Sequence, residues 1–159
     1  CYFYKIKQKV NVSIFRPFNV FGPGMPKNDY RVFPRFFNSI KSKKPITIFK
    51  NGKQTRTFCY VSDAITAMLL VIIKGKKFVY NIGNDQPEIN MTLLHKHIEK
   101  SLKKKIIYTN INYPKNYPQV EPLRRCPDIS KIKKELNFKT RVTLSESIKR
   151  FYSWSTKYY

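Results

Sequence analysis

The sequence predicts an α/β fold, because short runs rich in β-branched and aromatic residues alternate with segments of helix length. Apolar residues make up 42% and aromatic residues 15% of the 159 residues, which is enough to build a buried core. No segment of the chain repeats another. At least one layer of helices is therefore expected to pack against a sheet.

The predicted strands are bounded by proline, glycine and turn residues. Pro17 ends the first strand, and an Asn51-Gly52 turn separates the second from the third. The strands are predicted at residues 10–15, 46–49, 55–61, 77–83 and 105–108.

The predicted helices carry start and stop signals of their own. Ser62 or Asp63 can cap the helix that ends at Gly75, and Thr143 with Glu146 has the spacing of a capping box. The helices are predicted at residues 1–8, 31–42, 62–75, 91–102, 128–136 and from 143 to 152 or beyond.

The chain is strongly basic, with 32 lysines and arginines against 9 acidic residues and a formal net charge of +23. Two interpretations are open. The lysines are scattered except in residues 100–105, as expected if lysine is the default surface residue. Alternatively, the charge marks a surface that binds nucleic acid or another polyanion. In both cases a field of this sign favours anionic ligands such as nucleotides.

The cysteines and histidines form no metal or disulfide pattern. Cys1, Cys59 and Cys126 are an odd number without a C-x-x-C spacing, which is typical of reduced thiols in a cytoplasmic protein. His95 and His97 stand two apart on a predicted helix, so they point to different faces, and both are expected at the surface. The apolar residues 64–73 are too few to span a bilayer. No metal site and no membrane association are expected.

The segment RPFNVFGPGM, residues 16–25, places an amide side chain and a glycine turn at the end of a predicted strand. In doubly wound sheets, ligands bind just beyond the carboxyl ends of the strands. Asn19 offers donors and an acceptor to a phosphate or sugar oxygen, and Gly22 and Gly24 let the backbone approach a ligand closely. The same residues also suit an ordinary exit from a strand into a loop.

Arginine occurs in two further polar segments. Arg56 follows the tight turn in KNGKQTRTFCYVSD, and Arg124 and Arg125 precede a predicted helix in EPLRRCPD. A guanidinium at either place can bind a phosphate through two hydrogen bonds, or it can pair with an acidic side chain at the surface. Together, these segments suit a ligand that carries a diphosphate.

Four segments, in this order, closely resemble the C-terminal half of the extended short-chain dehydrogenases/reductases, the NAD-dependent nucleotide-sugar epimerases and dehydratases. They are RPFNVFGPGMPKNDYRVFPRF, KPITIFKNGKQTRTFCYVSDA, YNIGN and EPLRRCPDISKIKKELNF. Within that family the chain looks most like the UDP-glucuronate decarboxylases. The resemblance implies the C-terminal part of a doubly wound Rossmann-type sheet, interleaved with a small α/β substrate-binding domain over residues 1–159.

The resemblance also implies which residues bind the substrate. Asn19 would contact the diphosphate or the sugar, and Arg31 would sit at the start of the helix beneath the substrate. Phe49 would pack near the base, and Arg56 and Arg125 would bind the diphosphate from opposite sides, with Arg124 as a less favoured substitute for Arg125. The implied substrate is a nucleotide sugar linked to UDP.

NAD is the implied cofactor, and Pro17 and Val20 would line its nicotinamide end. The Tyr-x-x-x-Lys and the glycine-rich dinucleotide-binding turn of the family do not occur in this sequence. No catalytic residue is therefore assigned, and the NAD-binding N-terminal half is expected to be absent from this chain. Gly24 and Tyr30 stand where the decarboxylases have arginine and glycine.

The full-length protein is expected to be a homodimeric enzyme that works through a transient 4-keto sugar, with decarboxylation, dehydration or epimerisation as the outcome. The fragment alone is expected to be inactive. Two alternatives from other classes stay open. One is a basic nucleic-acid-binding module, which predicts aromatic residues interleaved with basic ones on one sheet face. The other is a catalytically inactive interaction domain.

Overall fold

A computed structural model describes residues 1–76, 78–114 and 122–159 of the chain. The predicted strand at 77–83 and the segment EPLRRCPD each begin on a residue outside this description, Lys77 and Glu121. Helices and strands alternate, as the sequence predicts. In chain order they are α1 (Tyr2–Lys7), β1 (Ile14–Pro17), β2 (Val20–Phe21), α2 (Val32–Lys41), β3 (Ile46–Phe49), β4 (Thr55–Arg56), β5 (Cys59–Tyr60), α3 (Val61–Lys74), β6 (Val79–Ile82), β7 (Ile89–Asn90), α4 (Met91–Leu102), β8 (Tyr108–Ile111), β9 (Arg124–Arg125), α5 (Ser130–Leu136) and α6 (Leu144–Tyr158).

One core lies around the parallel strands β1 and β6, in which Ile14 is opposite Val79 and Pro17 is opposite Ile82. Parallel neighbours need a crossover connection, and α3 and α5 both pack against β6. Small side chains on α3 let the helix approach the strands closely. The buried members of this core are Cys59, Ala64, Ala67, Val71, Tyr80, Ile82, Ile129, Ile132, Leu136 and Phe138.

A second core lies around the parallel strands β3 and β8, where Ile46 is opposite Tyr108. Helix α2 packs against β3 and α6, and α6 packs in turn against α4. Aromatic rings fill this core: the centroids of Phe21 and Phe33 are 3.6 Å apart, and Phe151 meets both rings edge-on. Burying each such side chain contributes about 1.5–3 kcal/mol, so this cluster holds α2 firmly beside β2.

Short strands connect the two cores. Strand β2 pairs in parallel with β5, and β4 pairs antiparallel with β7 and in parallel with β9. The single strand predicted at 55–61 is therefore two short strands in different sheets. The prediction was wrong because the chain changes partners between Arg56, which lies opposite Ile89, and Cys59, which lies opposite Val20.

Other strand predictions need smaller corrections. The Asn51-Gly52 turn is present, with Gly52 at φ +65°, but β3 and β4 on either side of it pair with other strands. The strand predicted at 10–15 is observed at Ile14–Pro17, and the strand predicted at 105–108 is observed at Tyr108–Ile111. In both cases the pairing with a distant strand sets the register, and local sequence does not encode it.

The helix α3 begins differently from the prediction, because neither Ser62 nor Asp63 is its cap. Tyr60 is the N-cap residue, and it makes no side-chain cap hydrogen bond. The buried Asp63 carboxylate instead accepts hydrogen bonds from the backbone N–H groups of Arg141 and Val142, at 3.1 and 3.0 Å. Asp63 thus ties α3 to the segment that leads into α6.

The predicted N-cap of α6 is present, but the predicted capping box is incomplete. Thr143 caps α6 as predicted, with its Oγ1 accepting from the Glu146 N–H at 3.2 Å. The Glu146 side chain does not complete the capping box, since it accepts a hydrogen bond from Arg150.

His95, expected at the surface, is buried on α4 with its Nε2 2.6 Å from the Ile106 carbonyl oxygen. His97 is half-buried.

Candidate functional site

A cavity of about 180 Å³ lies where β2, β4, β9, the start of α2 and the end of β3 meet. Among the residues that the structure describes, its lining includes four arginines and no carboxylate, and most of the other lining side chains are aromatic or apolar. Such a cavity selects an anion that also carries a flat or apolar part. The lining residues are Asn19, Val20, Phe21, Met25, Tyr30, Arg31, Val32, Phe33, Arg35, Phe49, Gln54, Arg56, Phe58, Met91 and Arg125.

Two of the arginines are direct neighbours across a pair of strands. In the parallel pairing of β4 with β9, Arg56 lies opposite Arg125. Side chains alternate between the two faces of a strand, so both guanidinium groups lie on the cavity face. Like charges directly opposite each other destabilise a sheet. This arrangement therefore places two cations side by side, where an anionic ligand in the cavity can contact both.

The other face of the same strands has ordinary ion pairing. Thr55 lies opposite Arg124, and Glu88 binds both side chains. The Thr55 hydroxyl donates to Glu88 Oε1 at 2.6 Å, and Arg124 Nη2 donates to Glu88 Oε2 at 2.9 Å. These hydrogen bonds, the one from Thr55 first, lower the pKa of the Glu88 carboxyl. Arg124 does not line the cavity, so the structure separates the two adjacent arginines by role.

Arg56 is buried and is held in place by the backbone around it. Its Nη1 donates to the Thr55 carbonyl oxygen at 2.7 Å and to the Leu123 carbonyl oxygen at 3.4 Å. Arg125, in contrast, is exposed. Within the described parts of the chain, no carboxylate forms an ion pair with Arg125. Arg125 is thus the more adaptable of the two paired cations.

Arg31 is the N-cap residue of α2, and its guanidinium is already paired. Nε donates to Asp29 Oδ2 at 2.9 Å, and Nη2 donates to the same oxygen at 2.5 Å. The hydrogen bond from Arg31 holds the pKa of the Asp29 carboxyl below its usual range, so the pair stays ionised at neutral pH. The net charge that Arg31 brings to the cavity is correspondingly small.

Asn19 has a backbone reason to be asparagine. Its φ of +45° lies in the left-handed region, which asparagine tolerates better than most residues. Its Nδ2 donates to the carbonyl oxygens of Thr57 and Arg125, at 2.9 and 3.3 Å. The amide must be oriented this way, because an oxygen there would face two other oxygens. The donors are therefore engaged, and Oδ1 is the atom left to accept a hydrogen bond from a ligand.

The two glycines of the same segment are explained by the fold and not by a ligand. A Cβ on Gly22 would lie 2.3 Å from Val61 Cγ1, so glycine permits the close approach of this loop to α3. Gly24 has a φ of +94°, which disfavours other residues. Neither glycine lines the cavity.

Phe49 is buried at the end of β3, and the Arg35 guanidinium lies 3.9 Å from the centre of its ring. Arg35 Nη2 also donates to the Thr47 carbonyl oxygen at 3.1 Å. One face of Phe49 is therefore covered by a cation. Sequence reasoning missed Arg35, although its i,i+4 spacing from Arg31 on a predicted helix was a signal that both face the same cavity.

Of the seven residues predicted to bind ligands, six line the cavity and one does not. Pro17 is exposed at the end of β1, outside the cavity lining. The other nine lining residues were not predicted, and they are Phe21, Met25, Tyr30, Val32, Phe33, Arg35, Gln54, Phe58 and Met91. The predicted residues in the lining are Asn19, Val20, Arg31, Phe49, Arg56 and Arg125.

The described residues include no group that could serve as a metal centre, since no three His, Cys, Asp or Glu side chains come together in them. Burial raises the pKa of the Cys59 thiol to about 12, so this cysteine is protonated at neutral pH and is a poor nucleophile. Among the described helices, none is long and apolar enough to cross a membrane.

The sequence is similar to those of known proteins. The model of the "NAD dependent epimerase/dehydratase family" matches residues 1–83. The chain is 33% identical over 144 residues to UDP-glucuronic acid decarboxylase 1 of Arabidopsis thaliana, covering 91% of this chain and 32% of that protein. It is 31% identical over 152 residues to UDP-glucuronic acid decarboxylase 1 of Xenopus tropicalis, covering 94% of this chain and 34% of that protein.

The fold is also shared with solved structures. UDP-glucuronic acid 4-epimerase from Bacillus cereus, in complex with UDP-glucuronic acid and NAD, superposes with a TM-score of 0.87 at 27% identity. That match covers 100% of this chain and 49% of the epimerase chain. The chain thus spans about a third of the Arabidopsis relative and about half of the epimerase. Its mixed α/β structure corresponds to part of an epimerase fold, and the chain belongs to the NAD dependent epimerase/dehydratase family.

Proposed function

We propose that this chain is the nucleotide-sugar-binding half of an NAD-dependent enzyme that modifies a UDP-linked sugar. The observation that carries the proposal is the cross-strand pair of Arg56 and Arg125 on the cavity face. Two guanidinium groups side by side match the two phosphates of a diphosphate, which they can bind through paired hydrogen bonds. The aromatic lining provides the apolar surroundings that a base requires.

In this proposal each cavity residue contacts a particular part of the nucleotide sugar. Arg125, exposed and without a carboxylate partner in the described chain, is the main ligand of the diphosphate, and the buried Arg56 supports it. Asn19 Oδ1 accepts a hydrogen bond from a sugar hydroxyl, because its N–H groups hold the Thr57 and Arg125 carbonyls. Arg31, neutralised by Asp29, positions the loop before α2. Phe49 borders the base.

The residues present fit only one edge of an NAD site. Val20 lines the cavity, and Pro17 lies exposed at the carboxyl end of β1. The sequence contains no glycine-rich dinucleotide-binding turn and no Tyr-x-x-x-Lys. NAD, when bound, would accept a hydride from C4 of the sugar and return it later. In this proposal the chain forms the C-terminal half of the enzyme, supplies the wall that orients the sugar and takes no part in proton transfer.

The relatives' names support a UDP sugar as the substrate, since the decarboxylases act on UDP-glucuronic acid and the Bacillus cereus structure contains it. Whether the outcome is decarboxylation, dehydration or epimerisation depends on groups outside this chain. Homodimer formation by the full-length enzyme and a cytoplasmic location stay predictions.

The test compares two adjacent arginines in titrations of the chain with UDP. Arg125→Ala should raise the Kd for UDP by about ten- to a hundredfold, since a charge-assisted hydrogen bond is worth roughly 1.5–3 kcal/mol. Arg125→Lys should restore only part of the affinity, because lysine keeps the charge but loses the planar fork. Arg124→Ala, with the same change in charge one residue away, should alter the Kd by less than about twofold.

Equal losses for Arg124→Ala and Arg125→Ala would mean that the general positive field attracts UDP, and the site assignment would be wrong. A wild-type chain that does not bind UDP at all would contradict the proposal that this half forms the substrate site. Isothermal titration calorimetry supplies the Kd and the stoichiometry, which should be one UDP per chain.

A further inference from the structure

A second basic concavity lies at the N-terminal end of the parallel strands β3 and β8, whereas the turn at Asn51 follows the C-terminal end of β3. Because β3 and β8 run parallel, the loops that precede them meet at the same end of the two strands. The first loop follows α2 and the second follows α4, and the Ile46 N–H donates to the Ile107 carbonyl oxygen at 3.0 Å where they meet. The lysine groove, as we name this concavity, is lined by Ile40, Lys41, Lys43, Lys44, Pro45, Lys104, Lys105, Ile106, Ile107, Tyr152 and Thr156.

In the described parts of the chain, five lysines and no carboxylate line the lysine groove. Lys104 Nζ lies 2.5 Å from the Tyr152 hydroxyl, which is a neutral partner. Within the described parts of the chain, no carboxylate forms an ion pair with Lys41, Lys43, Lys44 or Lys105. Glu99 is the acidic residue connected to the groove, and its Oε1 accepts from the Ile106 N–H.

The carboxylates of the described residues are engaged with partners other than these lysines. Of the nine acidic residues, Glu121 lies outside the described chain, seven bind partners away from the groove, and Glu99 accepts a hydrogen bond from the N–H of the groove residue Ile106. Those engaged carboxylates are Asp29 with Arg31, Asp63 with the Arg141 and Val142 N–H groups, Asp85 with Lys133, Glu88 with Thr55 and Arg124, Glu99 with Ile106, Asp128 with Ser130, Glu135 with Tyr80, and Glu146 with Arg150.

Favourable interactions with helix ends explain part of this cluster but not all of it. Lys41 is in the last turn of α2, where a cation interacts well with the helix dipole. Lys43, Lys44 and Lys105 lie beyond the helices, and the loop backbone holds two of them in place. The Lys43 N–H donates to the Ile40 carbonyl oxygen, and the Lys44 N–H to that of Ser39. Their mutual repulsion is therefore built into an ordered concave surface, which focuses the field.

We propose that the lysine groove binds a compact organic phosphate that carries at least two negative charges. The groove volume of about 450 Å³ lies within the usual range for small-ligand sites. Ile107, which is 68% exposed, and Pro45 give the organic part an apolar surface beside the ammonium groups. The ligand supplies the negative charge that the described carboxylates do not bring to these lysines. This site is separate from the cavity at Arg125, because no described residue lines both.

The experiment titrates inorganic pyrophosphate into the chain by calorimetry, with Arg125→Ala present in every sample to weaken binding at the other cavity. Pyrophosphate should bind once per chain. Adding Lys44→Ala and Lys105→Ala should raise its Kd by at least about tenfold, as expected for the loss of two charge-assisted contacts. The matched control instead adds Lys74→Ala and Lys134→Ala. These two lysines are exposed on α3 and α5, the helices that pack around β1 and β6, and their loss should change the Kd by less than about twofold.

Equal losses in the groove and control variants would overturn the proposal, since the overall charge of +23 would then explain the binding. A chain that does not bind pyrophosphate would overturn it as well. A third arm uses a single-stranded oligouridylate. If the oligonucleotide binds in a Lys44- and Lys105-dependent manner and pyrophosphate does not, the groove is a nucleic-acid surface and the small-anion proposal is wrong. Circular dichroism of each variant verifies that the fold is retained.

Discussion

Asn19→Ala should destabilise the chain more than its partial exposure suggests. The substitution removes two hydrogen bonds from Nδ2 to the carbonyls of Thr57 and Arg125, each worth about 1 kcal/mol. It also places alanine at a φ of +45°, which costs about 1 kcal/mol relative to a residue that tolerates the left-handed region. The free energy of unfolding should therefore fall by about 3 kcal/mol.

Urea unfolding followed by far-UV circular dichroism measures this loss, and two further variants separate its parts. Asn19→Gly loses the same hydrogen bonds but relieves the backbone, so it should recover about 1 kcal/mol relative to alanine. Asn19→Asp turns an oxygen toward two carbonyl oxygens and should be at least as destabilising as alanine. A loss below about 1 kcal/mol for Asn19→Ala, or an Asn19→Asp variant as stable as the wild type, would refute this account of the side chain.

Two further predictions concern stability. Asp63→Ala should lower the free energy of unfolding by about 3 kcal/mol, because it leaves the Arg141 and Val142 N–H groups without their buried acceptor, whereas Ser62→Ala should stay within about 0.5 kcal/mol in the same urea assay. Burial raises the pKa of Tyr159 to about 12, so its stabilising effect is complete below the usual tyrosine pKa of about 10 and is lost as the pH rises toward about 12. Tyr159→Phe should reduce the alkaline decline of the melting temperature, and Tyr158→Phe, at an exposed ring, should not.

The helices could be predicted from the sequence because their signals are local. Helix α4 has the predicted bounds, and Thr143 marks the start of α6 through a hydrogen bond only three residues long. Asp63 shows where local reasoning fails. An acidic residue near a helix start is typical of a cap, but this carboxylate binds backbone 78 and 79 residues away. Nothing within a few residues of Asp63 encodes that contact.

The candidate site could be predicted in composition but not in arrangement. The chemistry of their segments indicates Asn19, Arg56 and Arg125, the resemblance to a known family implies the roles of all seven predicted residues, and six of the seven line one cavity. Which of Arg124 and Arg125 faces the cavity depends on the pairing of β4 with β9, two strands that are 69 residues apart at Arg56 and Arg125. Strand alternation then decides the matter, because adjacent residues must point to opposite faces.

Because adjacent residues point to opposite faces of a strand, we expect Arg124→Ala to be the less stable variant and Arg125→Ala to be the variant with the weaker UDP affinity. Arg124→Ala breaks an exposed ion pair with Glu88, so it should lower stability slightly and leave UDP affinity unchanged. Arg125→Ala removes one of two like charges placed directly opposite each other, so it should leave stability unchanged or raise it while UDP affinity falls. Urea unfolding and UDP titration of the same preparations give both readings. A nonspecific loss of positive charge cannot lower stability in one variant and UDP affinity in the other, because it would act on both variants alike. If Arg125→Ala were the less stable variant, the arginine would be serving the fold, and the diphosphate would have to be bound elsewhere.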